Sequence, residues 1–242
     1  MLNIIKTSSE QQFNETGAGI IASLLQSNPR AILGLATGST PVGVYEKLIE
    51  LYKEGSVSFK QASSYNLDEY IGLTADHPES YRRFMDEKLF NHIDILPEHT
   101  HVPSGNAADP EQAAKDYAKL LDDAGQIDLQ LLGLGHNGHI GFNEPGEELT
   151  GPPHVVKLEE RTRLANARFF NSIDEVPTHA LTMGIGSILQ AKQILLMAKG
   201  EDKAEIIAKA LKGPITTQCP ASLLQTHSNV VVVVDQAAGR FL

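Results

Sequence analysis

Four apolar runs of strand length constrain this chain most: AILGLA (31–36), IDLQLL (127–132), KQILLMAKG (192–200) and NVVVVVD (229–235). A strand with one wet face alternates apolar and polar residues. A run that is apolar throughout belongs to a strand buried on both faces, as in a parallel sheet covered by helices. LNIIK (2–6) adds an edge strand, and SSYNLDEY (63–70) adds another strand that ends in two carboxylates. Helical patterns fall between them. Ser9 with Gln12 three positions on reads as a capping box opening a helix to about Gln26. Thr40 as N-cap and Pro41 as first helical residue open a helix over 42–53, and Pro78-Glu79-Ser80 opens another to about Phe90. Asp109-Pro110 caps a helix to about Ala124. RTRLANARFF (161–170) is helical, HALTMGIGSILQA (179–191) reads as strand, turn and short helix, Gly200 to Lys203 begin a further helix, and Pro220 opens a short one. Strands alternating with helices throughout predict an α/β fold, doubly wound, with a mostly parallel sheet and helices on both faces. No internal repeat or composition shift divides the chain, so 1–242 is expected to form one domain. The Gly/Pro-rich entry GEELTGPPHVVK (146–157) and the short elements after it mark 146–180 as a mobile lid segment.

Composition narrows the function. Hydrophobic residues are 41% and charged residues 21% of 242, the balance of a globular chain. The single Cys219 excludes an intramolecular disulfide and fits a reducing compartment. No segment reaches the roughly 18 apolar residues of a membrane span, and the N-terminal apolar stretch is too short for a signal peptide, so a cytoplasmic location is expected. The net charge is −10, and no run of Lys and Arg occurs. Nucleic acid and anionic membranes are therefore poor partners. An anionic substrate would likewise have to be held by local donors.

Two stretches and one strand end offer such chemistry. GLGHNGHIGFNEP (133–145) follows a buried strand and places glycines at 133, 135, 138 and 141 among His136, Asn137, His139, Asn143 and Glu144. A glycine-rich turn loaded with imidazole and carboxylate suits an active-site loop at the carboxyl edge of a parallel sheet. Thr37, Gly38 and Ser39 form a turn before a helix, where free N–H groups and the positive helix end suit phosphate. It is neither a P-loop, since the lysine is missing, nor a GxGxxG dinucleotide turn; an ordinary capped helix start has the same appearance. Asp68 closes a strand, a place where an aspartate serves as cap, solvated loop residue or base. Glu69 points the other way and reads as structural. His99 and His101 lack a third ligand at a recognisable spacing and read as surface loop histidines; His136 and His139 lack further metal ligands in the same way. Arg161, Arg163 and Arg168 read on their own as a solvated helix face.

The segments LGLATGSTP, NLDEY, GLGHNGHIGFNEP, RTRLANARFF and GEDKA, in this order across essentially the whole chain, resemble the glucosamine-6-phosphate deaminases. The related 6-phosphogluconolactonases share a glycine-rich turn, but FNEP belongs to the amino-sugar enzyme. The resemblance implies a Rossmann-like fold and conversion of glucosamine 6-phosphate and water to fructose 6-phosphate and ammonia, in amino-sugar catabolism, with no metal or organic cofactor. It also implies roles. His139 matches the ring-opening histidine and Glu144 its acidic partner, while Asp68 matches the base that carries a proton between C2 and C1. Thr37, Gly38 and Ser39 with Arg168 and Lys203 match the phosphate contacts. A water-poor setting is expected to raise the pKa of Asp68 towards usefulness. The role of His136 stays open, as site lining or loop surface.

The chain departs from the family pattern twice. Asn137 stands where many members carry Asp; it is expected to hydrogen-bond the imidazole without offsetting its charge, leaving more of that burden to Glu144. In members activated by N-acetylglucosamine 6-phosphate, an Arg and a Lys after the FNEP loop bind the activator's phosphate. Here His154 and Val156 align with them, and Glu147 and Glu148 replace the expected serines. No such activation is expected, and with a shorter tail after Asp235 a monomer is expected. The alternatives are a 6-phosphogluconolactonase-like hydrolase, which needs no C2 base, and a catalytically silent sugar-phosphate sensor.

Overall fold

The computed structural model describes residues 2–242, apart from the side chains of Ala165 and Phe169. The strongest apolar run forms β10 (Val230–Asp235), whose valines are almost wholly buried between two parallel neighbours. Those neighbours are β1 (Leu2–Thr7), at the sheet edge, and β9 (Gln193–Ala198). Beyond β9 come β6 (Leu129–Leu132), β2 (Ile32–Leu35), β3 (Ser63–Asn66) and the short β5 (Thr100–His101). All six pairings are parallel.

Strand order explains where a ligand can enter. The chain steps from β2 outward through β3 to β5, returns to β6 on the other flank of β2, and continues to β9 and β10. β2 and β6 are therefore the adjacent strands from which the path diverges, and the crevice beyond their carboxyl ends is where open α/β sheets bind ligands. Right-handed crossovers place α1 (Glu10–Ser27) and α2 (Val42–Lys53) on one face, where they pack on each other. The reversed path places α4 (Pro110–Ala124) and α7 (Ala204–Lys212) on the other.

The expected caps are present with two changes. Ser9 Oγ accepts from Gln12 N as expected, but the Gln12 side chain turns to Ser8 N, at 2.8 Å, so the box closes one residue early. At α2 the cap position falls to Pro41, and no side chain, Thr40 included, caps the first turn. α3 (Tyr81–Lys88) begins on Ser80, and α4 on Asp109, whose carboxylate accepts from Glu111 N and Gln112 N.

SSYNLDEY is not one strand. The chain leaves the large sheet at Leu67 and enters β4 (Asp68–Tyr70), which pairs antiparallel with β8 (His179–Thr182). β8 pairs in turn with β7 (His154–Lys157), which lies within the stretch read as a plain connection. Met183 N donates to Leu67 O at 2.7 Å and joins this small sheet to the main one. Between β7 and β8, α5 (Glu160–Asn166) is shorter than the sequence pattern and continues as a 3-10 turn over Ala167–Phe169. α6 (Ile185–Leu189) completes the helices. His101 lies on β5 rather than in a loop and stacks on Tyr65, with ring centroids 4.5 Å apart. No group of three His, Cys, Asp or Glu side chains placed to hold a metal occurs among the described residues, and none of their helices is long and apolar enough to cross a membrane.

Candidate active site

A cleft of about 400 Å³ opens at the divergence of β2 and β6. Its floor is the turn after β2, with Thr37, Gly38, Ser39 and Thr40 in the lining. Gly38 has φ +96°, a left-handed conformation that suits glycine and lets the turn present backbone to the cleft. α2 starts directly behind it without a capping side chain, so its positive end faces the same space.

The loop after β6 forms one wall. The His139 ring lies across the backbone of Gly135, where a Cβ would stand 2.3 Å from ring atoms. Only glycine admits that approach. His139 Nδ1 lies 3.1 Å from Glu144 Oε2. Asn143, at 3% exposure, donates its amide to Ile140 O and Met183 O and pins the loop to the end of β8. Glu144 sits behind His139 rather than in the cleft lining. Burial pushes its carboxyl up, but hydrogen bonds and charge from His139, then Thr162 and Asn137, outweigh this and hold it below the ordinary carboxylate value. Asn137 differs from expectation: its amide donates to Glu144 Oε2 at 2.6 Å, and its oxygen accepts from the backbone N–H of His139, so it supports the carboxylate and not the imidazole. An aspartate there would set a second charge against Glu144.

Asp68 faces this wall from the start of β4. Its carboxylate comes so near the loop that a Cβ on Gly141 would stand 3.8 Å from Oδ2. It is 7% exposed, and no protein donor hydrogen-bonds it among the described residues. Burial, then the charge of Glu69, push its pKa up to about 8. Glu69 points away and accepts from Tyr70 N, Tyr81 N and Arg82 N, bracing the start of α3. Burial raises its pKa to about 6 against those three bonds. Its structural role matches the sequence reading, with the added effect of raising its neighbour.

Cations close the remaining side. Lys203, at the start of α7, and Arg168, in the turn after α5, both line the cleft, and Arg161 and Lys199 join them. Burial pulls Lys203 down from its ordinary value; Asp202 opposes, and Arg168 and Arg161 add to the depression. A pair of crowded cations facing an uncapped helix start is a site for a dianion. His136 Nδ1 lies 3.3 Å from Asp202 Oδ2, so this histidine ties the loop to the turn that bears Lys203.

Over residues 6–233 the chain matches the family model described as glucosamine-6-phosphate isomerases/6-phosphogluconolactonase. The chain belongs to this family. A glucosamine-6-phosphate deaminase of Clostridium perfringens (strain 13 / Type A) is 49% identical over 241 residues, covering 100% of both chains. One of Lachnoclostridium phytofermentans is 52% identical over 232 residues, covering 96% of this chain and 98% of that protein. A solved structure described as a monomeric glucosamine-6-phosphate deaminase superposes with a TM-score of 0.96 at 46% identity, covering 99% and 100% of the two chains. A 6-phosphogluconolactonase from Thermotoga maritima, at 21% identity and TM-score 0.77 over 97% of this chain and 100% of that one, shares the fold.

Within this family member, Thr37, Gly38, Ser39, Asp68, Asn137, His139, Arg168 and Lys203 all line one cleft, with Glu144 one contact behind. Sequence reasoning missed Arg161, Thr162 and Asn166 on α5. Arg161 and Arg168 are exposed, as a solvated face requires, yet both also line the cleft, because the helix turns its other side inward. Thr162 is 7% exposed and donates to Glu144 Oε1; Asn166 Nδ2 donates to Tyr70 OH at 2.8 Å. Arg163 folds back onto Ile173 O and Val176 O instead.

Proposed function

We propose that this chain converts glucosamine 6-phosphate and water to fructose 6-phosphate and ammonia, in the cytoplasm and in amino-sugar catabolism. The observation that carries this reading is Asp68: a buried carboxylate without a donor among the described residues, its pKa about 8, open to the same cleft as a His–Glu pair and a cation pair. A lactone hydrolase has no use for a base at that position.

The phosphate rests on the Thr37 to Ser39 turn and α2 start, with Arg168 and Lys203 on its oxygens. His139, oriented by Glu144, takes the proton of the O1 hydroxyl and gives one to the ring oxygen, opening the pyranose to the aldehyde. Asp68 then removes the proton at C2, leaving an enolamine, and returns one at C1. The resulting imine at C2 adds water and expels ammonia, so one water is consumed per ammonia formed. Burial leaves most Asp68 carboxyls protonated at pH 7, and a protonated amine on the bound sugar would draw the carboxylate into its charged form.

The segment 146–180 acts as the lid, since Arg168 sits where substrate phosphate would draw it inward. Cleavage by protease within 150–175 at a rate indifferent to substrate would count against that. Two further expectations concern regulation. His154 and Val156 on β7 offer no cation pair, and the exposed Glu147 and Glu148 would repel a second phosphate, so N-acetylglucosamine 6-phosphate should not activate. The monomeric description of the similar solved deaminase supports a monomer here.

The test is release of ammonia and fructose 6-phosphate from glucosamine 6-phosphate, with and without N-acetylglucosamine 6-phosphate and chelator. Equal products, indifferent to both additions, are expected. Absence of ammonia would overturn the reading and direct attention to lactone substrates. A sigmoidal curve made hyperbolic by the N-acetyl sugar would overturn the regulatory part.

A further inference from the structure

Thr162 is a helical threonine whose hydroxyl leaves its own helix. Helical threonines commonly hydrogen-bond the carbonyl four residues back. Here the hydroxyl of this buried side chain instead donates across to Glu144 Oε1. The other carboxylate oxygen meets His139 Nδ1 at 3.1 Å and Asn137 Nδ2 at 2.6 Å. Glu144 thus has three donors, two from its own loop and one from a separate segment. The same Asn137 amide reaches Glu159 Oε2, just before α5, at 3.4 Å. The start of α5 is therefore tied to the loop at two points, and Arg168 stands in the cleft from the turn that continues this helix.

We propose that Thr162 is a positioning residue for ring opening: its hydroxyl holds Glu144 in the orientation that presents Oε2 to His139, and does so only while α5 is docked. The inference rests on the deaminase reading above. Docking at the phosphate end, through Arg168, and assembly of the proton-transfer pair, through Thr162, are then one event on one short helical stretch.

The charges that bear on the pair come from several elements. Glu159 approaches through Asn137, and on the same loop His136 stands among Arg161, Lys203 and Asp202. Thr162 itself is neutral, so replacing it changes orientation and hydrogen bonding without changing charge. Its bond is one of those that hold the Glu144 carboxyl low, after His139. Loss of the hydroxyl should raise that pKa and move to higher pH the acid limb of the kcat profile, in which the bound amine holds Asp68 ionised.

The experiment compares T162V, which keeps shape and loses the hydroxyl, with T162S, which keeps the hydroxyl. For T162V we expect kcat to fall about tenfold to a hundredfold with KM changed by less than about threefold. Its acid limb should shift upward, and the ring-nitrogen NMR titration of His139 should change. T162S should recover kcat to within about threefold and restore both profiles. T162S as impaired as T162V, or a T162V enzyme with unchanged kcat, acid limb and His139 titration, would overturn the proposal. If T162V fails to fold by circular dichroism, T162A against T162S carries the same comparison. The NMR titration needs no substrate, so it judges Thr162 even if the wild-type protein releases no ammonia.

Discussion

The two edges of the main sheet each carry a hollow, and the larger is chemically the quieter. At the amino edge, a groove of about 1040 Å³ runs past Ile127, Lys192 and Ser228, just before β6, β9 and β10. There Lys192 pairs with Asp128 at 2.7 Å, and His227 meets Ala191 O at 2.7 Å. At the carboxyl edge, the cleft of about 400 Å³ gathers a carboxylate raised to about 8, a His–Glu pair and crowded cations. Volume alone would choose the wrong edge. What separates the two is a buried carboxylate held far from its ordinary pKa, which folding does not favour and which function can use.

The sharpest break between the edges should come from Asp68→Asn. It removes the base while keeping shape, so turnover should fall on the order of a thousandfold with substrate binding retained. Stability should move the other way. The folded pKa lies near 8 and the ordinary value at 3.8, so the folded state holds a proton that the unfolded state releases, and stability falls as pH rises between them. Thermal melts of Asp68→Asn against wild type should therefore diverge from about pH 4 upward, with the variant more stable at pH 8. A variant less stable at every pH would show that the burial cost has been misread.

Arg168→Ala should raise KM by about a hundredfold, since on the proposed reading it removes a charge-assisted contact to phosphate. Initial rates against substrate concentration would measure this. A smaller loss, about tenfold to fiftyfold in kcat with little change in KM, is expected for Gly135→Ala, whose methyl displaces the imidazole. The pH profile adds a gentler test. If ionised Asp68 is required in the free enzyme, kcat/KM should fall roughly fivefold from pH 8 to pH 7. Lys192→Met, at the amino edge, should leave kcat and KM within about twofold. A large kinetic effect there would erase the contrast between the edges.

Most of the sheet was legible because apolar runs such as NVVVVVD state burial on both faces directly. The two signal loops were legible because glycine and polar residues cluster at the ends of such runs. Two things were not. SSYNLDEY carries no local mark of the change of sheets at Leu67, since both halves are extended and only the partner strand differs. That change of partner is what turns Asp68 into the cleft and buries it. Likewise α5 has no amphipathic pattern that announces an inward face. Thr162 and Asn166 acquire partners, Glu144 and Tyr70, that lie 18 and 96 positions away in the chain. Tertiary docking decides their role, and seven helical residues are too few to display a period.

The most direct test is to locate the sugar phosphate itself, in crystals soaked with fructose 6-phosphate. The expected result is phosphate density against Thr37, Gly38 and Ser39 with Arg168 and Lys203, and the C1–C2 end of the sugar against Asp68. Sugar density in the amino-edge groove beside Lys192 and His227, with the carboxyl-edge cleft empty, would contradict it.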